Sequence, residues 1–405
     1  MPVNHCRKLL LLTAITISMS AELYAQPLTL TEKELDYSQQ QIQANNPVFK
    51  QAFAVLIKQA DSALTHKNLS VMDKSLVASS GDKHDYYSFP PYWWPDQKKA
   101  DGLPYIRKDG QTNPAANSDA TDKTRLVAMS NDVLTLSLAW YFTHDKRYAQ
   151  KATDQIKVWF LSSATRMNPN LEYAQAIPGI NTGRGIGIID SRALVDVVDA
   201  IEILKPTGLI TQTEYQDLKS WFGHFYTWMN TSQNGFEEAN WHNNHGSWYD
   251  LQAASFALFS GNTSAAKKQL EITQLRRIAG HFDIQGRQMA ELERTRPWHY
   301  SNFNLEAYSR LGRLAEKVNI DLWNFNLDDH NLRKGYGYIA SWINGTSSWP
   351  WKDIDKWDDK TALFNMVTAV HAWPDDEVFR QKAQWLRAKY PDDITTLTSP
   401  IIDKR

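Results

Sequence analysis

Apolar residues recur at three- and four-residue steps along most of this chain: Leu126, Met129, Val133, Leu136 and Trp140 in one stretch, Leu194, Val198, Ile201 and Leu204 in another. That spacing lines side chains along one face of an α-helix and conflicts with the two-residue alternation of a half-buried strand. The same reading predicts amphipathic helices over Asn46–Leu64, Lys146–Phe160, Thr211–Met229, Tyr249–Phe259, Thr263–Ile278, Asn304–Val318, Lys360–Ala372 and Asp376–Lys389. Asp145, Thr211 and Thr263 stand where N-caps are expected, and Gly261 and Gly280 where helices should stop. Period-two strands are scarce, so the expectation is an all-α chain of consecutive antiparallel helices joined by short loops. Nothing rich in Pro, Gly or Ser divides it, and 42% hydrophobic residues supply core for a single domain.

Arg7 and Lys8, the apolar run Leu9 to Met19, and the small and polar residues up to Ala25 have the form of a secretory signal. Residues 1–25 are therefore expected to be removed, leaving a domain of residues 26–405. The apolar run is too short to span a bilayer, and no other stretch approaches the roughly 20 apolar residues a membrane helix needs. An exported protein, periplasmic or secreted and without membrane insertion, follows. The lone cysteine, Cys6, lies in the signal, so the mature chain has no thiol for nucleophilic catalysis, metal binding or disulfides. A net charge of −1 gives no bulk attraction to nucleic acid, which is not expected as a partner.

Two loops interrupt the helical pattern. The first, Gly81 to Asn117, carries Tyr86-Tyr87-Ser88-Phe89-Pro90-Pro91-Tyr92-Trp93-Trp94-Pro95-Asp96. A loop of that length in a compact domain is usually a lid or binding loop. The second, Ile177 to Gly187, presents Asn181 and Arg184 among glycines that would allow close approach to a ligand. The chain holds 16 Trp and 17 Tyr, many beside Pro, Asp or Asn instead of inside apolar runs. Such rings suit a platform for flat, hydroxyl-rich ligands such as sugars, although buried core rings account for many of them.

The densest polar cluster is Trp241-His242-Asn243-Asn244-His245-Gly246-Ser247-Trp248-Tyr249-Asp250, directly before an apolar helical stretch. Clustered amides and imidazoles either satisfy a local network or face a ligand. His242 and His245 have the spacing of two metal ligands on one helical face. With no His-Glu-x-x-His signature and no cysteine, the neighbouring Asn pair favours hydrogen bonding, and no metal or other cofactor is expected. Gly183-x-Gly185-x-Gly187 lacks the spacing and strand context of a dinucleotide loop, and neither a phosphate-binding loop nor a Gly-x-Ser-x-Gly elbow occurs.

A third segment, Glu291-Leu292-Glu293-Arg294-Thr295-Arg296-Pro297-Trp298-His299-Tyr300-Ser301-Asn302-Phe303, adds two arginines, an imidazole and a phenol. Taken alone it reads as a solvated salt-bridge cluster. Beside the other two it completes a set able to bind an anionic sugar, neutralise its carboxylate and move a proton. That is what β-elimination across a 1,4-linked uronate requires. The C5 proton, α to a carboxylate, becomes removable only as the growing enolate charge is offset, and the departing O4 must be protonated. A phenol with a pKa near 10 needs neighbouring cations or donors to act as base. Where H5 and O4 share a face, as in mannuronate and glucuronate, one Tyr can serve as base and then acid.

At these residues the chain resembles the alginate lyase superfamily of exported polysaccharide lyases. The likeness rests on Asn243-Asn244-His245 before a Trp-bearing helix, the Glu-Leu-x-Arg…His-Tyr segment from Glu291 to Tyr300, and the Tyr-Tyr-Ser…Pro-Tyr-Trp-Trp-Pro-Asp loop. It implies an α/α toroid, an incomplete α/α barrel of antiparallel helical hairpins, and a metal-independent mechanism. It implies Tyr300 as base and acid, Arg294 and Asn244 as carboxylate neutralisers, and His245 in support. In the branch resembling glucuronan lyases, Asn181 takes the neutralising part. Tyr86, Tyr92, Trp93, Trp94, Arg184, Trp248, Tyr249, Arg296 and His299 are the expected substrate contacts. The chain departs in having Gly246-Ser247-Trp248 where familiar alginate lyases carry Ser-Tyr-Trp, and in an Arg-to-Tyr spacing one residue shorter. The expected substrate is alginate first and glucuronan second, both anionic polysaccharides. Two competing readings are a non-catalytic carbohydrate-binding protein and a glycoside hydrolase using Asp250 and Glu293 as paired carboxylates.

Overall fold

Five helices bury side chains on most of their circumference and form the inside of the molecule. The computed structural model describes residues 26–344 and 349–402; the expected signal, residues 1–25, lies outside the described residues. In chain order the helices are α1 (Glu32–Gln43), α2 (Pro47–Thr65), α3 (Lys123–Thr143), α4 (Lys146–Ile156), α5 (Leu194–Leu204), α6 (Gln212–Thr231), α7 (Gln233–Ala239) and α8 (Asn244–Phe259). There follow α9 (Thr263–Ile272), the short α10 (Ala279–His281) and α11 (Met289–Leu292), α12 (Pro297–Glu316), α13 (Leu332–Ala340), α14 (Leu363–Ala372), α15 (Glu377–Lys389) and the short α16 (Thr395–Thr398). The inner row α3, α5, α8, α12 and α14 packs each helix on the next, while α2 and α4 back α3, α6 and α9 back α8, and α13 and α15 back α14. This is the α/α toroid.

Position in the row explains composition. In α5 every residue except Asp196 is buried, and in α8 every residue except His245 and Leu258. A helix covered on all sides needs no polar face, so the single apolar stripe expected around Leu194–Leu204 understates α5. Outer helices keep the expected amphipathic pattern and begin at strong caps. Asp145 caps α4, Thr211 caps α6 through a capping box with Glu214, and Asp376 caps α15. The cap of α9 is Asn262, one residue before the expected Thr263. Gly261 follows α8 with φ of 95°, whereas Gly280 lies within α10 and stops nothing.

Two differences from the periodicity reading bear on function. Helix α8 starts at Asn244, five residues before the expected Tyr249, and α12 at Pro297, seven before Asn304. Helices α1, α7 and α13 were not anticipated at all. Between α2 and α3, the long aromatic loop folds back as a two-stranded hairpin, β1 (Trp93–Trp94) against β2 (Ile106–Arg107), with Trp93 opposite Arg107. Its base is pinned by the fully buried Lys74–Asp122 ion pair at 2.9 Å, and Asp122 also accepts the Tyr87 backbone N–H at 3.0 Å.

Candidate active site

The extra turns at the starts of α8 and α12 carry the polar motifs. Asn243 caps α8, its side chain accepting the His245 backbone N–H at 3.1 Å. His242 therefore lies before the helix, so it and His245 do not share a helical face. Among the described residues no group of three or more His, Cys, Asp or Glu is arranged to hold a metal ion. The corner between α7 and α8 is fixed by Arg277, from a π-helical turn after α9. Arg277 donates to Asp250 at 3.0 Å and to the carbonyls of Ala239 and Trp241, both at 2.7 Å. That packing explains Gly246, because a Cβ there would lie 2.4 Å from both the Trp241 carbonyl oxygen and the Arg277 guanidinium. Asp250 is fully buried in this clamp, so the Asp250/Glu293 pair of the hydrolase reading does not form.

Two buried carboxylates stand behind the motif. Glu291 accepts both the backbone N–H of Asn244 at 2.5 Å and its Nδ2 at 2.8 Å, fixing the carboxamide. Burial pushes the Glu291 carboxyl up to about 7, against the pull of these two donors. Glu238 meets His245 Nδ1 at 2.7 Å and is likewise pushed up by burial while the imidazole opposes the shift. Such a carboxylate orients the ring and leaves Nε2 as its free nitrogen.

Tyr300, in the first turn of α12, is 6% exposed and shares a 2.7 Å hydrogen bond between hydroxyls with Tyr92 of the hairpin loop. The Arg294 guanidinium lies 4.1 Å from the centre of the Tyr300 ring. Arg294 in turn pairs with Asp109 at 3.1 Å, so the hairpin loop reaches both members of the Arg–Tyr pair. Burial drives the Tyr300 phenol far above its ordinary value, and the nearby Arg294 charge works the other way. Arg294 stays firmly charged, because Tyr300 and Asp109 outweigh the burial that disfavours its cation.

Asn181, Arg184, Asn244, His245, Arg294, His299 and Tyr300, with Tyr92 and Trp93 from the loop, line one cleft of about 950 Å³. The Asn181 side-chain oxygen accepts the Ile177 backbone N–H at 3.0 Å, which holds its amide at the wall. The glycines around Arg184 serve the chain itself. A Cβ on Gly183 would lie 1.9 Å from the Glu172 carbonyl oxygen, and one on Gly187 2.5 Å from the Ala174 Cβ. Both glycines are therefore needed for close packing of residues 183–187 on residues 172–174, and Gly183 also lines the cleft.

Five expected substrate contacts lie elsewhere. Tyr86 is completely buried with its hydroxyl on Asp190 at 3.2 Å. Tyr249 is buried with its hydroxyl on the Met229 carbonyl at 3.0 Å, and Trp248 is buried against Phe303. None of these three lines the cleft, although Tyr86 and Trp248 pack on Asp190 and Phe303, which do. Trp94 turns away, its indole N–H donating to the Gln111 carbonyl at 2.9 Å. Arg296 sits behind the cleft, paired with Asp355 at 2.5 Å and bonded to Tyr92, so it supports Tyr92 and does not line the cavity. Conversely, Asp109, Gln175, Glu238 and Arg192 belong to the site and were not anticipated; Glu291 was noted only as part of a motif.

A family profile described as alginate lyase matches residues 70–349. No curated protein matches the chain by sequence. The crystal structure of an alginate lyase from Bacteroides ovatus is 35% identical, superposes with a TM-score of 0.88, and the match covers 93% of this chain and 99% of that one. Alginate lyase A1-III from Sphingomonas species A1 is 11% identical over 80% of this chain and 88% of that one, and with a TM-score of 0.50 shares the fold. The described residues contain no helix long and apolar enough to cross a membrane. By profile and by structure alike, the chain belongs to the alginate lyase family of polysaccharide lyases.

Proposed function

We propose that the protein cleaves a 1,4-linked polyuronate by β-elimination, with polymannuronate of alginate as the preferred substrate. The observation that carries this reading is the Arg294–Tyr300 pair, a guanidinium 4.1 Å from the ring of a buried phenol, in the same cleft as Asn244 and His245. Simple sugar binding has no use for a desolvated phenol beside a cation. In the proposed step, Arg294 and the Asn244 carboxamide offset charge on the uronate carboxylate as H5 leaves. The C5–H electrons form the C4=C5 double bond, the C4–O4 bond breaks, and O4 takes a proton. Tyr300 carries both protons in turn, with His245 in support. Burial keeps the phenol protonated, so the proton must depart before the phenolate can attack H5. Tyr92 is the hydroxyl through which it can leave.

Mannuronate and glucuronate differ at C2 and share configuration at C4 and C5, so glucuronan can undergo the same step, with Asn181 at the cleft wall as an added donor. We also propose that the protein is exported, with residues 1–25 removed; the mass of the mature secreted chain tests this. For the reaction, the protein is incubated with polymannuronate, polyguluronate and glucuronan while the ultraviolet absorbance of the new double bond is followed. Fastest rise on polymannuronate is expected, and no rise on any of the three refutes the lyase reading for this chain. Tyr300→Phe should reduce turnover by at least about 10³-fold while leaving tetrasaccharide binding within a few-fold of the parent. Substantial remaining turnover would assign the base to another residue.

A further inference from the structure

Arg184 is a cation of the cleft that is held without a carboxylate partner. Arg184 lines the cavity from the glycine-rich segment, its guanidinium 5.9 Å from the centre of the Trp93 ring. Among the described residues the one hydrogen bond of its side chain runs from Nη2 to the Gln175 side-chain oxygen at 2.8 Å, and its Nε is buried without a partner. Three other arginines of the interior are paired with carboxylates, Arg277 with Asp250, Arg313 with Glu34 and Arg310 with Asp196, and Arg387, which is not, has its donors taken by Thr395, Thr396 and Ser399. At Arg184 a neutral amide stands where a carboxylate would be.

The amide is held firmly. Gln175 adopts a positive φ of 50°, unusual for a residue with a side chain, and its backbone N–H donates to Ser88 Oγ at 2.8 Å. Its Nε2 donates to Asp190 at 2.9 Å. The other Asp190 oxygen is occupied by Ser88 at 2.7 Å and Tyr86 at 3.2 Å. Asp190 thus orients Gln175, and Gln175 aims Arg184, without cancelling its charge by direct contact. Burial lowers the Arg184 pKa to about 10, and Asp190 and Glu237 only partly offset it. A desolvated cation with donors to spare, facing a cavity, calls for an anion that arrives from outside.

We infer that Arg184 is the receptor for the carboxylate of a second uronate, a neighbour of the sugar whose bond is cleaved, and that Gln175 and Asp190 are its positioning residues. The inference rests on the polyuronate reading above and adds a separate subsite to it. Because Arg294 serves the reacting sugar, Arg184 contributes to holding the chain and not to the bond-breaking step.

Binding is measured by titration calorimetry in a Tyr300→Phe background with two probes, tetramannuronate and its neutral counterpart β-1,4-mannotetraose. Arg184→Gln should weaken tetramannuronate about tenfold or more and leave mannotetraose within about twofold. Equal weakening of both, or of neither, overturns the inference. Arg184→Lys keeps a charge but loses the planar fork, and should fall between the two; its thermal unfolding midpoint, matched to the parent, shows that the fold persists. In the active enzyme Arg184→Gln should raise KM about tenfold with kcat within about threefold, whereas a fall in kcat at constant KM would place Arg184 in the chemical step. If the unsubstituted protein cleaves no uronate polymer the lyase reading fails, and the comparison of the two tetrasaccharides still decides the role of Arg184.

Discussion

Replacing Glu291 with Gln should separate stability from turnover. Glu291 is 1% exposed and accepts two N–H groups from Asn244, at 2.5 and 2.8 Å. Burial raises its carboxyl from 4.5 to about 7. Below pH 4.5 the native and unfolded chains both hold this proton. Between 4.5 and 7 the unfolded chain releases it while the native chain retains it, so this group lowers stability as pH rises through the window, by about 3 kcal/mol in total. Gln does not titrate, so the variant should lose this slope and should not be less stable at pH 8. The chemical consequence is different. Gln offers one acceptor and one donor where ionised Glu offers two acceptors. If the Asn244 backbone N–H keeps the acceptor, the two side-chain NH2 groups meet, at a cost of about 1–3 kcal/mol for a buried unsatisfied donor. Turning the Asn244 carboxamide by about 180° removes the conflict by exchanging its oxygen and nitrogen. A uronate carboxylate that had met an N–H then meets an oxygen. Loss of one such donor costs roughly 10²–10³ in kcat. The assay is initial rate of double-bond formation on polymannuronate, run beside thermal unfolding of parent and variant from pH 5 to 8. A variant whose kcat/KM stays within threefold of the parent refutes the reasoning, as does an activity loss that merely tracks unfolding.

Two further outcomes follow from the same geometry. Because burial holds Tyr300 protonated against the pull of Arg294, raising the pH should increase the reactive phenolate. The value of kcat/KM on polymannuronate should climb between pH 6 and 9, approaching about tenfold per unit before other groups intervene; a flat profile across that range would give the base role to a group that titrates lower, such as an imidazole. Arg277→Met leaves Asp250 buried and unpaired and frees the Ala239 and Trp241 carbonyls, so urea unfolding should show a loss of about 3–5 kcal/mol, and a loss below 1 kcal/mol would mean the clamp does not fix the corner before Asn243.

Sequence periodicity reports what the core demands, which is why the middles of α3, α5, α8 and α12 were legible. The first turns of α8 and α12 were not, for the same reason. Asn244, His245, His299 and Tyr300 face a cleft instead of the core, so the apolar rhythm that marks a helix is missing where the helix matters most for chemistry. Aromatic rings beside polar residues looked alike whichever side of the wall they occupied. Tyr92 and Trp93 line the cleft, whereas Tyr86, Trp248 and Tyr249 do not, a distinction set by their packing on Asp190, Phe303 and Met229, which lie between 20 and 104 positions away. Glu238, Gln175 and Asp109 were invisible for a further reason. Each acts on a motif residue through one contact that only the fold creates, and nothing in its own neighbourhood marks it.

The cleft's two best-defined arginines divide the work in a way their partners explain. Arg294 already holds Asp109, so a uronate carboxylate arriving in the ground state must share a cation that is partly neutralised. As H5 leaves, negative charge on that carboxylate grows, and the same guanidinium becomes worth more to it. An interaction weak at the start and stronger at the transition state lowers the barrier, whereas one equally strong at both lowers only KM. Arg184 has no carboxylate of its own, and the sugar it is proposed to hold does not change its charge during the reaction. Its contribution is therefore uniform, and belongs to binding. Pairing one arginine with an acid and the other with an amide lets a single cleft grip a polyanion at Arg184 while reserving Arg294 for the step in which charge develops.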